Sequence, residues 1–377
     1  MTTERERVLS STESVCPVCL ARLDAQRVQI DDEVYLVKTC PDHGTFRTIV
    51  WRGSSPAFAD WARPKIPSHP AHPFTPVNQG CPFDCGLCPD HRQQTCTALI
   101  EVTHLQFDGV DDEIMQTIRG VRQLERKRAA IAHCAEADLG VVLVPVLVPG
   151  VNTHGLGAII DFALEHFPTV RGVHFQPVTY LGRFPQPPAN DDRMTIPEVI
   201  RLIEAQTGGR LRVENFTTSG CENALCSLHG NFVVMPDGSL RPWINQQQNT
   251  SCCTPQPAAL GAEKTRQFVA QHWSAPPASS GMIALDSIGG SASGGTNSGP
   301  AFGEWDTFLA RTKTHTFCIS GMAFQDAWNL DLERLRDCCI HTVSPDGRII
   351  PFCAYNLTDQ SGRALYRGQS LVTEASL

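Results

Sequence analysis

The chain lacks the features that mark nucleic-acid-binding, membrane-spanning and secreted proteins. Its lysines and arginines form no block longer than ERKRA at 125–129, and its formal net charge is −8, whereas binding a phosphate backbone requires clustered cations. The longest apolar run, at 139–151, holds two prolines and is too short to cross a bilayer. The charged stretch at 1–14 contains no apolar signal core. We therefore expect a soluble cytoplasmic protein with no nucleic-acid partner and no transmembrane segment.

Cysteine, by contrast, is abundant, with 16 residues among 377. Disulfides do not persist in a reducing compartment, so the ligation of metals or clusters is the leading explanation for this number. Most of the cysteines lie in groups. Cys134 lies in none of them and is interpreted as a small buried apolar residue.

The N-terminal group consists of Cys16, Cys19, Cys40 and His43, within a β-rich module predicted over 15–52. Two short Cys-x2-Cys and Cys-x2-His turns direct four donors at one point, which is the geometry of a tetrahedral zinc site or of a mononuclear iron site as in rubredoxin. The pattern does not distinguish the two metals. In the alternative interpretation His43 is a surface loop residue and the site lacks a fourth ligand.

The central group consists of Cys81, Cys85, Cys88 and Cys96. Cluster iron requires thiolates, and a short loop lets three of them reach adjacent corners of a [4Fe-4S] cluster. Four ligands would close the cluster, whereas three would leave one iron open to a substrate or cofactor. A zinc knuckle that uses His91 is the alternative.

The C-terminal cysteines are dispersed, and we select Cys221, Cys226, Cys338 and Cys353 as ligands of a second [4Fe-4S] cluster. Both MPDGSLRPW and SPDGRIIPFC read as strand, tight Asp-Gly turn and strand, so two hairpins could hold this cluster between them. Cys339 is a near substitute for Cys338. The adjacent pair Cys252 and Cys253, in a polar loop, is a weaker candidate.

Strands and helices alternate in the middle of the chain. The segment GVVLVPVLV predicts a strand, HGLGAIIDFALEHF a helix, VRGVHFQPVTY a strand and TIPEVIRLIEAQTGG a helix with Thr195 as its N-cap and Pro197 in its first turn. One further helix is predicted over 111–137, after the strand-like stretches at 97–102 and 105–109. This alternation indicates parallel βα units in a TIM-type or open sheet.

The predicted fold is α/β, with a partial TIM-like barrel of parallel βα units and small β-rich metal-binding modules at both ends. Five segments follow: an N-terminal Cys/His metal knuckle at 1–61, a Pro-rich connector with the cysteine loop at 62–96, the partial barrel at 97–245, a Gly/Ser-rich linker or lid at 246–303, and a C-terminal cluster-binding segment at 304–377.

Several segments together resemble a family of radical S-adenosylmethionine enzymes that includes the archaeal 7,8-dihydro-6-hydroxymethylpterin methyltransferase and the tetraether lipid synthase. The resemblance is carried, in the family's order, by CPVCL, KTCPDHGTF, NQGCPFDCGLCPDHRQQTCTALIEVT, LQFDGVDDEI, VVLVPVLVPGVN, VRGVHFQPVTY, GCENALCSLHGNFVVMPDGSLRPW, AFQDAWNLDLER and PDGRIIPFCAYN. It implies [4Fe-4S] clusters, S-adenosyl-L-methionine, and an electron donor such as ferredoxin or flavodoxin. The implied chemistry is radical C-methylation or C–C bond formation on a pterin, a lipid or another small molecule.

The chain departs from this family after Thr103. In the family a further Cys-x3-Cys-x2-Cys loop follows the first barrel strand and holds the cluster that binds S-adenosylmethionine, whereas here Thr103 is followed directly by His104 and LQFDG. Parallel strands need a crossover of about a dozen or more residues, so we expect two to three βα units to be missing. By resemblance, the loop at 81–88 is then an auxiliary site with Cys96 as its fourth ligand.

Three functions remain open at this point. In a radical enzyme, Cys81, Cys85 and Cys88 would hold an open cluster and Cys96 would stay unbound. In an iron-sulfur protein without catalysis, closed clusters would store or pass electrons. In a structural protein, the cysteines would bind zinc. No catalytic residue is assigned from the sequence.

Overall fold

The computed structural model describes most of the chain. The described residues are 6–62, 66–70, 73, 75–93, 95, 97–98, 104–184, 186–218, 222–243, 260, 263, 304–312 and 314–367. The predicted linker at 246–303 therefore lies outside them except for two positions. No helix within these ranges is both long and apolar enough to cross a membrane.

Fourteen strands are described, and they form three sheets. The strands are β1 (Glu6–Val15), β2 (Arg22–Ile30), β3 (Glu33–Cys40), β4 (Gly44–Arg52), β5 (Thr97–Ala98), β6 (His104–Gln106), β7 (Val141–Val144), β8 (Val146–Leu147), β9 (Val170–Pro177), β10 (Ser227–Val234), β11 (Leu240–Pro242), β12 (Thr316–Met322), β13 (Ile340–Val343) and β14 (Ile349–Pro351).

Eight α-helices connect or flank these strands in the described residues. They are α1 (Phe58–Trp61), α2 (Asp112–Arg119), α3 (Leu124–Glu136), α4 (Leu156–Glu165), α5 (Ile196–Gln206), α6 (Glu304–Arg311), α7 (Leu332–Arg336) and α8 (Phe352–Tyr355).

The N-terminal sheet is an antiparallel meander in the order β1-β2-β3-β4. Burial alternates along β2 and β3, as expected for strands that have one face on a core and one in solvent. The predicted β-rich module is confirmed, although its first strand begins at Glu6 rather than near residue 15.

The main sheet has the strand order β11-β10-β12-β9-β7-β6, with β8 also paired to β9. Strands β6, β7, β9 and β12 are mutually parallel, whereas β10 and β11 form an antiparallel hairpin at one end. The fold is therefore mixed α/β with a parallel sheet segment. Strand β12 belongs to this sheet although it lies in the predicted C-terminal segment.

The two faces of the main sheet differ in polarity. Apolar side chains of one face are buried, and they include those of Leu143, Val173, Phe175, Phe232 and Ile319. The other face carries His174, Gln176 and Ser320, all half-buried, and His174 Nδ1 lies 2.9 Å from Ser320 Oγ on the neighbouring strand. Because successive side chains in a strand point to opposite faces, His174 and Gln176 share this polar face.

The helix predicted over 111–137 is wrong as a single element, because the structure has α2 and α3 there. Gly120 adopts φ 76° and its N–H donates to the carbonyl of Gln116 at 2.9 Å, which ends α2. A left-handed glycine is the usual C-terminal stop of a helix.

The start of α5 is confirmed, since Thr195 and Glu198 form a capping box there and Pro197 lies in the first turn.

The smallest sheet has the order β14-β13-β5. Strand β13 is antiparallel to β14 and parallel to β5. Both hairpins predicted from the Asp-Gly turns are confirmed, one as β10 with β11 and the other as β13 with β14. Strand β5, at the start of the first of the two strand-like stretches, pairs with β13, whereas β6, at the start of the second, pairs with β7. The two strands therefore belong to different sheets.

Candidate metal and cluster sites

The N-terminal sheet brings its four predicted metal ligands together. Cys16 and Cys19 lie in the turn between β1 and β2, Cys40 ends β3, and His43 lies in the turn before β4. Their ligand atoms all lie within 4.8 Å of one another, and His43 Nδ1 is 3.3 Å from Cys40 Sγ. Two ligands on one zinc ion, each bound at about 2.0–2.3 Å, have separations of this size.

Two thiols of this site, those of Cys40 and Cys16, differ in pKa. The hydrogen bond with His43 lowers the pKa of Cys40 to about 7, which favours the thiolate that binds metals. Burial instead raises the pKa of Cys16 to about 11. Metal binding must therefore displace the proton of Cys16, and metal affinity and folding are coupled at this site.

Two buried cations attach this N-terminal sheet to the segment around α7. Lys38 Nζ donates to Ser14 Oγ at 2.9 Å and to the carbonyl of Ala327 at 2.7 Å. Arg27 Nε donates to Asp331 Oδ2 at 2.8 Å, and Arg27 Nη2 to Glu333 Oε2 at 2.6 Å. Burial lowers the pKa of Lys38 to about 7.

The second group of thiols is the loop that carries Cys81, Cys85 and Cys88, all buried. A carboxylate and a phenol shape this loop: Asp84 Oδ2 accepts the N–H of Gly80 at 2.6 Å, and Tyr366 Oη accepts the N–H of Cys85 at 2.9 Å. A small cavity is lined by the three cysteines together with Gly86, Leu87, His91, Leu335, Arg336 and Pro351.

Two of these three thiols have a raised pKa. The hydrogen bond with Cys81 and burial raise the pKa of Cys85 well above its ordinary value, and burial raises that of Cys88. A single ion needs all its ligand atoms close together, and in the described residues the N-terminal group is the one that meets this condition.

The third group of thiols consists of Cys226 before β10, Cys338 after α7 and Cys353 in α8. Desolvation raises the pKa of each, to about 12 for Cys353. The charges of Cys353 and Cys226 also raise the pKa of Cys338, so the three sulfurs lie within electrostatic reach of one another. The two hairpins thus bring three of the four ligands predicted for the second cluster near one another.

The remaining cysteines of these predictions lie outside the described residues. They are Cys96, Cys221, Cys252 and Cys253. Cys339, the alternative to Cys338, is fully buried.

Histidine 91 connects the second and third groups of thiols. Its backbone N–H donates to the carbonyl of Cys88 at 3.0 Å, and its side-chain Nε2 lies 2.7 Å from the carbonyl of Cys338. A carbonyl only accepts, so Nε2 carries the proton, and burial lowers the pKa of His91 to about 4. Only Nδ1 is left for the zinc knuckle considered as an alternative. The ring of His341 lies 5.2 Å from that of His91, centroid to centroid.

The second and third groups of thiols both contribute to one apolar core beside α7. Cys81, Cys85 and Cys353 belong to a buried cluster that also contains Leu332 and Leu335 of this helix. Sequence reasoning assigned no role to the helix or to the charged residues that flank it, because their partners lie about 300 residues away along the chain.

Two comparisons with known proteins agree with this arrangement. Residues 8–52 match the family model described as the HMPTM N-terminal zinc ribbon domain, so the chain has an N-terminal zinc ribbon. Over an alignment of 473 positions, the chain is 27% identical to the 7,8-dihydro-6-hydroxymethylpterin dimethyltransferase of Methanocaldococcus jannaschii. This alignment covers 92% of the chain and 93% of the relative, so the similarity extends far beyond the zinc ribbon.

Proposed function

We propose that this chain is an iron-sulfur protein of the radical S-adenosylmethionine superfamily, with [4Fe-4S] clusters at Cys81, Cys85 and Cys88 and at Cys226, Cys338 and Cys353. The observation that carries the proposal is the presence of two groups of three cysteines beside one helix. Four of the six thiols are buried, and those of Cys226 and Cys338 are half-buried. Cys221 completes the second ligand set, and Cys96 completes the first only in a closed cluster. Soft thiolates in a desolvated pocket are the donors that iron-sulfur clusters require.

We infer from the similarity to the dimethyltransferase that the chemistry is radical methylation of a pterin-like small molecule. Cys81, Cys85 and Cys88 would hold a cluster with one open iron, which would supply the binding of S-adenosylmethionine and, with an electron from a ferredoxin- or flavodoxin-type donor, its reductive cleavage. The residues available to orient a flat polar substrate are His174, Gln176 and Ser320 on the polar face of the main sheet. In this form Cys96 stays unbound.

A second candidate function, electron storage or transfer without catalysis, is favoured by the position of β6. Within the described residues this strand pairs only with β7 and ends the main sheet, whereas β5 pairs in another sheet. The alignment of 473 positions is longer than the 377 residues of the chain, so the chain lacks segments that the relative has. The position of β6 supports a loss of βα units after Thr103, and with them of a separate loop for S-adenosylmethionine. In this form Cys96 closes the cluster.

Electron paramagnetic resonance of the reconstituted, reduced protein with and without S-adenosylmethionine separates the two functions. A change of the cluster signal on adding the cofactor, abolished in Cys85→Ala and retained in Cys96→Ala, supports the radical enzyme. An unchanged signal, together with loss of iron in Cys96→Ala, refutes it and supports the electron-transfer protein. A pterin and a lipid, each added with S-adenosylmethionine, then test the substrate through formation of a methylated product.

A further inference from the structure

Arginine 334 lies on α7 with its guanidinium against the sulfur of Cys226. Its Nε is 3.4 Å and its Nη2 3.3 Å from Cys226 Sγ, and Nη2 also donates to the carbonyl of Ala323 at 3.1 Å. The residue is only 6% exposed. Two N–H groups of one planar fork therefore converge on a single sulfur atom.

This contact is informative because a guanidinium keeps its charge in a protein. In the described part of the chain none of the hydrogen bonds of Arg334 goes to a carboxylate, and Asp331, whose charge acts on it, is already bonded to Arg27. A buried cation without a counter-charge is strongly destabilising. The group best placed to supply that charge is Cys226 as a thiolate.

A thiol withdrawn from water does not ionise by itself, but one that binds a metal or a cluster does. We propose that Arg334 is a positioning residue that orients Cys226 as a cluster ligand and raises the reduction potential of the cluster held by Cys226, Cys338 and Cys353. This inference rests on the proposed function, since it requires a cluster at these thiols. Reduction adds negative charge, which a nearby cation and N–H···S hydrogen bonds stabilise.

The neighbouring arginine of the same helix differs in this respect. Arg336 lines the cavity at Cys81, but its Nη2 is 2.5 Å from Glu13 Oε2, so a carboxylate offsets its charge. Helix α7 thus presents one arginine towards each group of thiols. Of these two arginines, only Arg334 has a sulfur, rather than a carboxylate, as the bonded group that can offset its charge.

The test is a redox titration of the full chain, reconstituted anaerobically and followed by electron paramagnetic resonance. The signal of this cluster is identified as the one lost in Cys353→Ala. We compare Arg334→Gln with Arg212→Gln, a control that removes the same charge from an arginine whose side chain is 66% exposed. Iron and labile sulfide are measured for every variant.

We expect Arg334→Gln to retain iron and to lower the ratio of reduced to oxidised cluster at the wild-type midpoint about tenfold, equivalent to about 59 mV for a one-electron couple. The control should leave the midpoint unchanged. Arg334→Lys keeps the charge but not the contact through two N–H groups, so its midpoint should lie between those of the wild type and of Arg334→Gln. If Arg334→Gln loses iron, the midpoint of Arg334→Lys tests the role of Arg334 instead.

Two results overturn the inference in distinguishable ways. If the wild type holds both clusters and the midpoints of Arg334→Gln and Arg334→Lys equal that of the control, the role of Arg334 is refuted while the proposed function stands. If the wild type binds no iron with labile sulfide, both are refuted together.

Discussion

Asp331 joins the zinc ribbon to α7, and its replacement by asparagine isolates the ion pair with Arg27. The side chains of Arg27 and Asp331 are 9% and 5% exposed, with Nη2 and Oδ2 2.6 Å apart. Asp331 also caps α7 by accepting the N–H of Glu333 at 3.1 Å, a contact that asparagine can make equally well. Asp331→Asn therefore removes the charge and keeps the cap.

The expected cost follows from burial. Removing one partner of a buried ion pair costs about 3–5 kcal/mol, and the lower end, about 3 kcal/mol, applies because Glu333 remains bonded to Arg27. The matched control is Glu333→Gln. The side chain of Glu333 is 43% exposed, so breaking its pair with Arg27 should cost less than about 1 kcal/mol.

Urea unfolding of the zinc-loaded full chain, followed by tryptophan fluorescence, measures both changes. Trp328 is buried in the core beside α7 and reports on this region. We expect a clearly lower midpoint for Asp331→Asn and an almost unchanged one for Glu333→Gln, with similar slopes. Equal midpoints for the two variants would refute the buried ion pair as the link between the zinc ribbon and α7.

Three further predictions concern the metal site, the sheet and a buried histidine. His43→Ala should lower the zinc content of the purified protein, measured by elemental analysis, because the site loses its nitrogen donor. Gly172→Ala should destabilise the protein by about 1–3 kcal/mol in urea unfolding, because a Cβ there would lie 2.2 Å from the backbone oxygen of Cys318. Gly155→Ala is its control, since the nearest atom is 3.5 Å away, and an equal loss in both would contradict this reasoning. Burial lowers the pKa of His341 to about 3, so the unfolded chain binds the extra proton below about pH 6.5. Stability should therefore fall from about pH 6.5 towards pH 3, by up to about 1.4 kcal/mol per pH unit from this group. His341→Leu should flatten the profile, and an unchanged slope would exclude His341 as the cause.

Local patterns in the sequence predicted the elements that local interactions determine. The capping box of Thr195 and Glu198 and both Asp-Gly hairpins are formed within a few residues, so their motifs were sufficient. The helix over 111–137 was wrong because its acidic start and basic end fit one helix as well as two. The left-handed conformation of Gly120 decides between them.

The environment of the thiols could not be predicted in the same way. The spacing of Cys16, Cys19, Cys40 and His43 encodes a local metal site, and the structure brings these ligands together. The contacts of Arg27 with Asp331 and of Arg334 with Cys226 join residues that are 304 and 108 positions apart. A buried arginine looks like a surface residue in the sequence, and only the tertiary structure shows its counter-charge.

The count of iron and acid-labile sulfide per chain, after anaerobic reconstitution, shows whether the two groups of thiols hold clusters. We expect two clusters in the wild type, and the loss of one cluster's iron and sulfide in each of Cys85→Ala and Cys353→Ala. Zinc in place of iron, with no labile sulfide at either group of thiols, would contradict this expectation and identify a structural zinc protein.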